Sequence, residues 1–276
     1  IVIDETHRAG AKSYLGIINY FKPKFLLGMT ATPERTDGAD IFKLFNYNIA
    51  YEIRLHRALE EKMLSPFHYY GVTDLTINGE EIDDKTEFNK LVAEERVNRI
   101  IENIELFGCD DGNIRGLIFC SRNEIARTLS KKFNDKGFRT LSLSGNDSEI
   151  VRQEAIRKLE TDNPNESLDY IFTVDIFNEG IDIPKVNQIV MLRPTQSAII
   201  FVQQLGRGLR KVTGKDYLTV IDFIGNYENN YLVPIALYGD KTYNKDNLRK
   251  LITSESSFIP GDSSINFDEI SKEKIF

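Results

Sequence analysis

The sequence predicts an α/β protein built on doubly wound parallel sheets. Short apolar runs alternate with amphipathic helical stretches along the 276 residues, and polar loops follow the apolar runs. This alternation is typical of parallel sheets, because helices must cross over between their strands. Hydrophobic residues make up 41% and charged residues 28% of the chain, ordinary values for a globular protein. No apolar run approaches the roughly 20 residues of a membrane-spanning helix.

The expected strands and helices form two series. Residues 1–55 supply strands at 1–3 and 25–28, too few for a complete lobe, whereas residues 113–230 supply enough for one. In the second series we expect strands at 116–120, 139–143, 168–174, 188–192 and 217–222, with helices near 123–135, 148–160 and 196–210. The predicted fold is therefore one partial lobe followed by one complete lobe.

The remaining residues are expected to connect or extend these lobes. Residues 56–112 form an acidic connector with a hairpin turn at 77–80 and a helix at 94–107, where apolar residues recur at helical spacing. Residues 231–276 begin a further domain or form a packing tail. The connector holds 14 acidic and 6 basic residues, so the net charge of −7 is concentrated there. Charge therefore does not exclude a nucleic-acid partner, which needs only a local groove of donors.

Two features bear on the origin of the chain. It starts inside an expected core strand and without Met, so we expect its first residue to be a cut end. Its two cysteines, Cys109 and Cys120, lack metal-ligand spacing, which is typical of a reducing compartment. We therefore expect a cytoplasmic protein.

A pair of adjacent carboxylates, Asp4 and Glu5, ends the first apolar run in the segment 1–7, IVIDETH. A buried strand delivers such residues to the carboxyl edge of a parallel sheet, where ligands bind. One carboxylate there can hold the Mg²⁺ of a nucleotide, and the next can orient the attacking water. A solvated acidic turn is the alternative explanation.

Two more loops follow strand ends. The segment 28–33, GMTATP, places the hydroxyls of Thr30 and Thr32 where they can bond the carboxylates or His7, although a capped turn explains it equally. In the segment 173–184, TVDIFNEGIDIP, Asp182 can accept hydrogen bonds from a ribose and Thr173 can meet a nucleic-acid phosphate. A structural Asx turn is the alternative for this segment.

The strongest single signal is the segment 203–210, QQLGRGLR. At about 100° per residue, Gln203, Arg207 and Arg210 share one face of a helix, and apolar residues such as Phe201 and Leu205 share the opposite face. Neighbouring guanidinium groups repel each other and call for an anion between them, and the planar fork of arginine suits a phosphate. Such an arginine stabilises charge in phosphoryl transfer. A solvated basic face is the alternative.

In this order the segments resemble the motor core of superfamily-two helicases. DETH at 4–7 is similar to the DEAD/DEAH box, TAT at 30–32 to the Ser/Thr-Ala-Thr motif, LIFCSR at 117–122 to motif four, NEGID at 178–182 to motif five and QQLGRGLR at 203–210 to motif six. More narrowly, GMTATPERTDG at 28–38, DFIGNYENN at 222–230 and YNKDNLRK at 243–250 resemble bacterial helicases related to type III restriction motor subunits. The resemblance covers about residues 1–225 and implies RecA-like lobes of the P-loop NTPase helicase fold.

The resemblance also implies ATP and Mg²⁺ as cofactors and nucleic acid, DNA rather than RNA, as the partner. The implied nucleotide-site residues are Asp4 for Mg²⁺, Glu5 for the attacking water, Asp182 and Gly180 for the ribose side, and Gln203, Arg207 and Arg210 for the γ-phosphate. The implied coupling residues are His7, Thr30 and Thr32, and the implied contacts to the nucleic-acid backbone are Thr173, Ser121, Arg122, Ser144 and Gly145.

The chain departs from the family pattern because it contains no Gly-x-Gly-Lys-Thr/Ser phosphate loop. We therefore expect negligible ATPase activity from this chain alone. Three functions stay open: an ATP-driven helicase or duplex translocase, the motor of a restriction or phage-defence nuclease whose cutting domain lies elsewhere, and a non-catalytic nucleic-acid-binding module. The presence of Glu5 argues against the last, because a binding module has no use for a water-activating carboxylate.

Overall fold

The computed structural model describes residues 1–6, 9–30, 40–77, 80–83, 86–176, 183–193, 198–225, 230–238, 250 and 259–275. These residues form two compact units, Ile1–Arg54 and Leu55–Phe276. Among the described residues, the structure contains no helix with the length and apolar character needed to span a bilayer.

The first unit is small and contains a two-stranded parallel sheet. Its elements are β1 (Val2–Ile3), α1 (Lys12–Phe21), β2 (Leu27–Gly28) and a 3-10 helix (Ile41–Phe45). Val2 pairs with Leu27 and Ile3 with Gly28, so both strands end at the same edge. The expected strands at 1–3 and 25–28 are confirmed, although both are shorter than predicted.

The second unit is built on one seven-stranded sheet in which every neighbouring pair is parallel. The strand order is β11-β3-β10-β9-β6-β8-β7. The elements are α2 (Leu55–Glu60), β3 (Phe67–Thr73), β4 (Thr76–Ile77), β5 (Glu80–Glu81), α3 (Phe88–Leu91), α4 (Glu94–Phe107), β6 (Gly116–Cys120), α5 (Asn123–Asp135), β7 (Thr140–Ser142), α6 (Glu149–Glu160), β8 (Tyr170–Thr173), β9 (Gln188–Leu192), α7 (Ala198–Gly208), β10 (Leu218–Ile224), α8 (Leu232–Tyr238), β11 (Ser264–Phe267) and α9 (Glu269–Lys274).

Helices cover both faces of this sheet. Side chains alternate along a strand, so Leu117 and Phe119 of β6 pack in one cluster with α6, α7 and α8, whereas Ile118 and Cys120 pack in the other with α4 and α5. The central strands β6 and β9 are buried at every position and, apart from Gln188, contain no polar side chain, because both of their faces are covered. This arrangement confirms the predicted α/β class and the doubly wound sheet.

Two strands come from ranges in which the sequence analysis expected none. β3 lies in the expected connector 56–112, and β11 lies in the expected tail 231–276, yet β3 pairs along its full length with β10 and also pairs with β11. The sequence of β3, FHYYGVT, mixes polar and aromatic residues and so lacks an apolar run, and β11 has only four residues. Both ranges therefore build the sheet as well as linking or extending it. The β4–β5 pairing confirms the predicted hairpin.

Candidate functional site

In the first unit, the two carboxylates directly follow β1. Glu5 has a left-handed backbone with a φ of 48°, and its N–H donates to Asp4 Oδ1 at 2.9 Å. A left-handed conformation costs a residue other than glycine roughly 1–2 kcal/mol, and such strain is concentrated at functional sites. The box therefore begins with a strained turn at the end of the strand.

The same turn brings the box next to the segment expected to couple it to nucleic acid. Thr6 N–H donates to Met29 O at 2.9 Å, immediately before Thr30. Gly28 makes this approach possible, because a Cβ there would lie 2.7 Å from Thr6 Oγ1 and would overlap the ring of Phe45. Thr6 was not singled out by the sequence analysis. Its hydroxyl is buried and has no hydrogen-bond partner within the described part of the chain.

Four predicted residues lie outside the described residues. His7 and Thr32 belong to the first unit, and Gly180 and Asp182 follow β8 in the second. Their implied roles therefore stay predictions.

In the second unit, the predicted backbone contacts line up along the carboxyl edge of the sheet. Ser121 and Arg122 follow β6, Thr173 ends β8, and Ser144 with Gly145 follows β7. The strands β6, β8 and β7 are consecutive in the sheet. Residues from three separate parts of the sequence are thus brought to one edge, where ligands bind in open α/β sheets.

The turn after β7 is rigidly held. Ser144 N–H donates to Asp147 Oδ2 at 2.7 Å, and its hydroxyl donates to the same oxygen at 2.9 Å. From the helix that follows, Arg152 Nη2 donates to Gly145 O at 2.8 Å. Ser148 then caps α6 by accepting from Val151 N at 3.4 Å. The turn is thus fixed before any ligand arrives, and Gly145 is exposed.

Thr173 differs from its neighbours at this edge because it is fully buried. Its hydroxyl has no hydrogen-bond partner among the residues that the structure describes. The hydroxyl is therefore not presented to solvent, and a phosphate contact requires the adjoining residues to move. The burial of Thr173 could not be predicted from the sequence, because an exposed strand end and a buried strand position have the same sequence pattern.

Arg193, which the sequence analysis missed, follows β9 at the same edge. Its Nη1 donates to Val174 O at 3.0 Å and to Asp175 Oδ1 at 2.7 Å, and the residue is only 7% exposed. β6 lies between β9 and β8, so this side chain reaches across the end of β6. Arg193 thereby holds the start of the segment that continues into residues 177–182.

The helix that carries the motif-six residues differs from its predicted form. α7 ends at Gly208, so Arg210 lies beyond the helix and is exposed, whereas Arg207 is half-buried within it. Gln203 is buried, at 9% exposed, and does not share an open face with the arginines. The prediction of one exposed face for all three residues was therefore wrong. A Cβ on Gly208 would lie 2.5 Å from Leu218 Cδ1, so the helix ends at a residue that packs closely on β10.

Asp4 fits the Mg²⁺ that accompanies a bound nucleotide. It is exposed, and Mg²⁺ in such sites usually takes one or two carboxylates, with phosphates and water completing its shell. In the described ranges there is no group of three or more His, Cys, Asp or Glu side chains that could hold a metal ion. The donor set thus suits a metal that arrives with phosphates.

Comparison with known proteins agrees with this fold and this order of segments. Residues 95–212 match the helicase conserved C-terminal domain, and residues 1–35 match the type III restriction enzyme, res subunit. IRC3 of Saccharomyces cerevisiae, which carries the name of an ATP-dependent helicase, is 28% identical over 237 residues, covering 82% of this chain and 34% of its own. The chain thus spans about a third of the length of that relative. A 51.5 kDa protein of a Lactococcus phage is 24% identical, and the chain covers 49% of its length.

Solved structures show the same fold. The ATP-dependent Type ISP restriction-modification enzyme LlaBIII bound to DNA superimposes with a TM-score of 0.60 at 18% identity, over 100% of this chain and 22% of that one. Dbp5 of S. cerevisiae bound to RNA and ADP BeF3 superimposes with a TM-score of 0.54 at 16% identity, over 100% and 63%. The solved structures and the seven-stranded parallel sheet define a RecA-like α/β fold. The two matched ranges, 1–35 and 95–212, agree with the superfamily-two helicase core that the ordered motifs resemble.

Proposed function

We propose that the protein is an ATP-driven nucleic-acid motor, a helicase or translocase that prefers DNA. The proposal rests on the carboxyl edge of the seven-stranded sheet, where Ser121, Arg122, Ser144 and Gly145 lie at neighbouring strand ends. Ser144 holds the turn through its bonds to Asp147. The exposed Ser121 hydroxyl, Arg122 guanidinium and Gly145 backbone are groups of the kind that contact phosphates and sugars rather than bases. Such contacts suit a motor that moves along a strand of any sequence.

The nucleotide contacts are proposed residue by residue, within each unit. Asp4 would hold Mg²⁺, which neutralises phosphate charge, and Glu5 would orient and deprotonate the attacking water. Arg207 and Arg210 would stabilise the charge that develops on the γ-phosphate, with Gln203 supporting them from within the helix. Gly180 and Asp182 would contact the ribose. Thr30 lies beside the box through the Thr6–Met29 bond and would pass the nucleotide state on, together with His7 and Thr32.

The test is ATP hydrolysis by the full-length native protein with single-stranded DNA, duplex DNA or RNA as the stimulant. We expect at least tenfold stimulation, largest with DNA, and a loss of more than about 100-fold in kcat for Glu5→Gln. Glu105→Gln, on the exposed side of α4, is the matched control and should keep full turnover. Strand binding without any stimulated turnover would favour the non-catalytic binding module instead.

The present chain alone is proposed to be inactive, because its sequence contains no phosphate loop to hold the β- and γ-phosphates. Residues 1–276 should therefore show no turnover above background under conditions in which the full-length protein is active. Turnover by this chain that Glu5→Gln abolishes would contradict the proposal.

A second candidate is the motor of a restriction or phage-defence nuclease. It is favoured by the match of residues 1–35 to the type III restriction enzyme, res subunit. Cutting would then come from a domain outside these residues. Incubating the full-length protein with ATP and long duplex DNA distinguishes the two, since only the nuclease motor yields shorter duplex fragments.

A further inference from the structure

Lys215 is a buried lysine whose ammonium group, among the residues that the structure describes, bonds to three backbone carbonyls. It is 9% exposed, and its Nζ donates to Pro184 O at 2.7 Å, to Gly208 O at 2.9 Å and to Val186 O at 3.1 Å. An ammonium group has three N–H donors, so each one has an acceptor here. Burying a charge is costly unless its hydrogen bonds are satisfied, and this one is fully satisfied.

The three carbonyls lie near implied nucleotide-site residues in the sequence. Gly208 is the last residue of α7, which contains Gln203 and Arg207. Pro184 and Val186 lie two and four residues after Asp182 in the sequence. Ile183 and Leu205 belong to the same buried cluster, so residue 183 and α7 pack on one face of the sheet. One ammonium group therefore joins residues 184–186 to the end of α7.

The end of α7 suits a cation. The last four carbonyls of a helix have no partner within it and carry partial negative charge, which a positive group stabilises. Lys215 supplies that charge at Gly208. Ser65 holds the next residues, because its N–H donates to Leu209 O at 2.8 Å and its hydroxyl to Arg210 O at 3.1 Å. The exit from the helix is thus fixed from two sides.

We propose that Lys215 is a positioning residue of the motor, which holds Pro184 and Val186, downstream of Asp182, at a fixed spacing from Gly208, the last residue of the helix that bears Arg207. The inference rests on the proposed function, in which Asp182 and Arg207 contact one nucleotide. A shift of about 1 Å in a group that positions the nucleotide can lower the rate roughly 100-fold, so the bonds that Lys215 makes to Pro184, Val186 and Gly208 matter for turnover.

Charged groups around Lys215 tune its protonation. Burial lowers the pKa of Lys215 to about 8, and the charges of Asp110 and Glu160 oppose that change. The charged residues that line the adjoining cavity of about 190 Å³ are Asp110, Asp111, Arg115, Asp162, Lys185 and Lys215 itself. A neutral amine has only two N–H donors, so one of the three carbonyls loses its donor as the pH rises through about 8.

The experiment compares Lys215→Met with Lys211→Met in the full-length native protein. Lys211 Nζ donates to a single carbonyl, Lys62 O at 2.8 Å, which belongs neither to residues 184–186 nor to α7. We expect Lys215→Met to lower kcat for stimulated ATP hydrolysis by about 10- to 100-fold. Both variants should bind DNA with an affinity within twofold of that of the unaltered protein. Lys211→Met should also keep its kcat within twofold.

Chemical rescue separates positioning from a general loss of stability. Lys215→Ala removes the atoms from Cγ to Nζ, which correspond to propylammonium, so propylammonium should restore at least fivefold of the kcat lost in Lys215→Ala and none of that lost in Glu5→Gln. A Lys215→Met protein with kcat within twofold of the unaltered protein would overturn the inference. An unaltered protein without stimulated turnover would instead refute the proposed function.

If the Lys215 variants do not fold, hydrogen exchange of the unaltered protein decides the matter. After correction for intrinsic exchange rates, protection of the amides of 186–187 and 206–208 should fall together between pH 7 and 9. Equal protection at both pH values would show that the ammonium group does not hold these ends.

Discussion

Asp222 is a carboxyl group buried in the middle of the second unit, on β10. Tyr69 of the neighbouring strand β3 donates its hydroxyl hydrogen to Asp222 Oδ2 at 2.7 Å. Burial raises the pKa of Asp222 from 3.8 to about 7, although the hydrogen bond from Tyr69 partly opposes the rise. Burial also raises the pKa of Tyr69, which keeps the phenol protonated as the donor. The pair therefore links two central strands through a carboxyl group that is protonated more readily than usual.

This pair predicts how stability depends on pH. A folded-state pKa above the unfolded value means that the native state binds the proton more tightly, so its contribution is full below about pH 4 and is lost as the pH rises through about 7. The free energy of unfolding should thus fall by up to about 4 kcal/mol across this window from Asp222 alone. Urea unfolding at several pH values measures it. Asp222→Asn should remove this component, whereas the exposed control Asp216→Asn should keep it, and equal slopes in both variants would contradict the assignment.

At the scale of secondary-structure elements, α7 packs closely on the sheet at its last residue, Gly208. The side chain of Leu218 on β10 occupies the space next to Gly208, whereas nothing lies within 4 Å of a Cβ added to Gly206 in the same helix. Two glycines separated by one residue thus have opposite requirements. Gly208 is needed for close packing of α7 on the sheet, whereas Gly206 is not.

Alanine substitutions test this difference. Gly208→Ala should lower the free energy of unfolding by about 1–3 kcal/mol, because the added methyl group overlaps Leu218. Gly206→Ala should raise it by up to about 1 kcal/mol, since alanine favours a helix over glycine. Urea unfolding of both variants gives the comparison. A Gly208→Ala protein as stable as the unaltered one would show that α7 can move away from β10 at no cost.

Elements with strong periodicity could be predicted from the sequence, and elements defined by tertiary contacts could not. The helices α4 and α5 and the strand β9 were predicted with their observed bounds, because their apolar spacing is regular. The end of α7 was placed two residues too late, and the contact between its last residue, Gly208, and Leu218 joins residues whose proximity the helical spacing does not show. Lys215 carries no motif signal of its own, so the three carbonyls around it could be found only in the folded chain.

At the scale of the whole molecule, the second unit is completed by residues near its end. β11 pairs with β3, and Asp268 then accepts from Thr73 N–H at 2.6 Å and from the Thr73 hydroxyl at 2.7 Å. Asp268 also caps α9 by accepting from Ser271 N–H at 2.6 Å. Although burial raises the pKa of Asp268, these bonds from Thr73 and Ser271 outweigh it and hold the pKa below its usual value. One carboxylate thus joins the last strand and helix to the first strand of the sheet.

Removing this carboxylate should loosen the whole second unit. We expect Asp268→Ala to lower the free energy of unfolding by about 1–3 kcal/mol, because it leaves the donors of Thr73 unsatisfied and removes a helix cap. Glu269→Ala alters the next residue, whose side chain is 89% exposed, and should have little effect. Thermal unfolding of both variants measures the difference. Equal transitions would mean that β11 and α9 are not part of the cooperative unit.

The pairing of β3 with β11 also decides how this unit responds to mechanical load. The two strands are parallel, with His68 opposite Ser264 and Gly71 opposite Phe267. The chain enters β3 at the amino edge of the sheet and leaves β11 at the carboxyl edge. Tension on the two flanking ends therefore loads the inter-strand hydrogen bonds in shear, all at once, and does not unzip them one after another. Under the proposed motor function, this parallel pairing would keep the sheet intact while force passes through it.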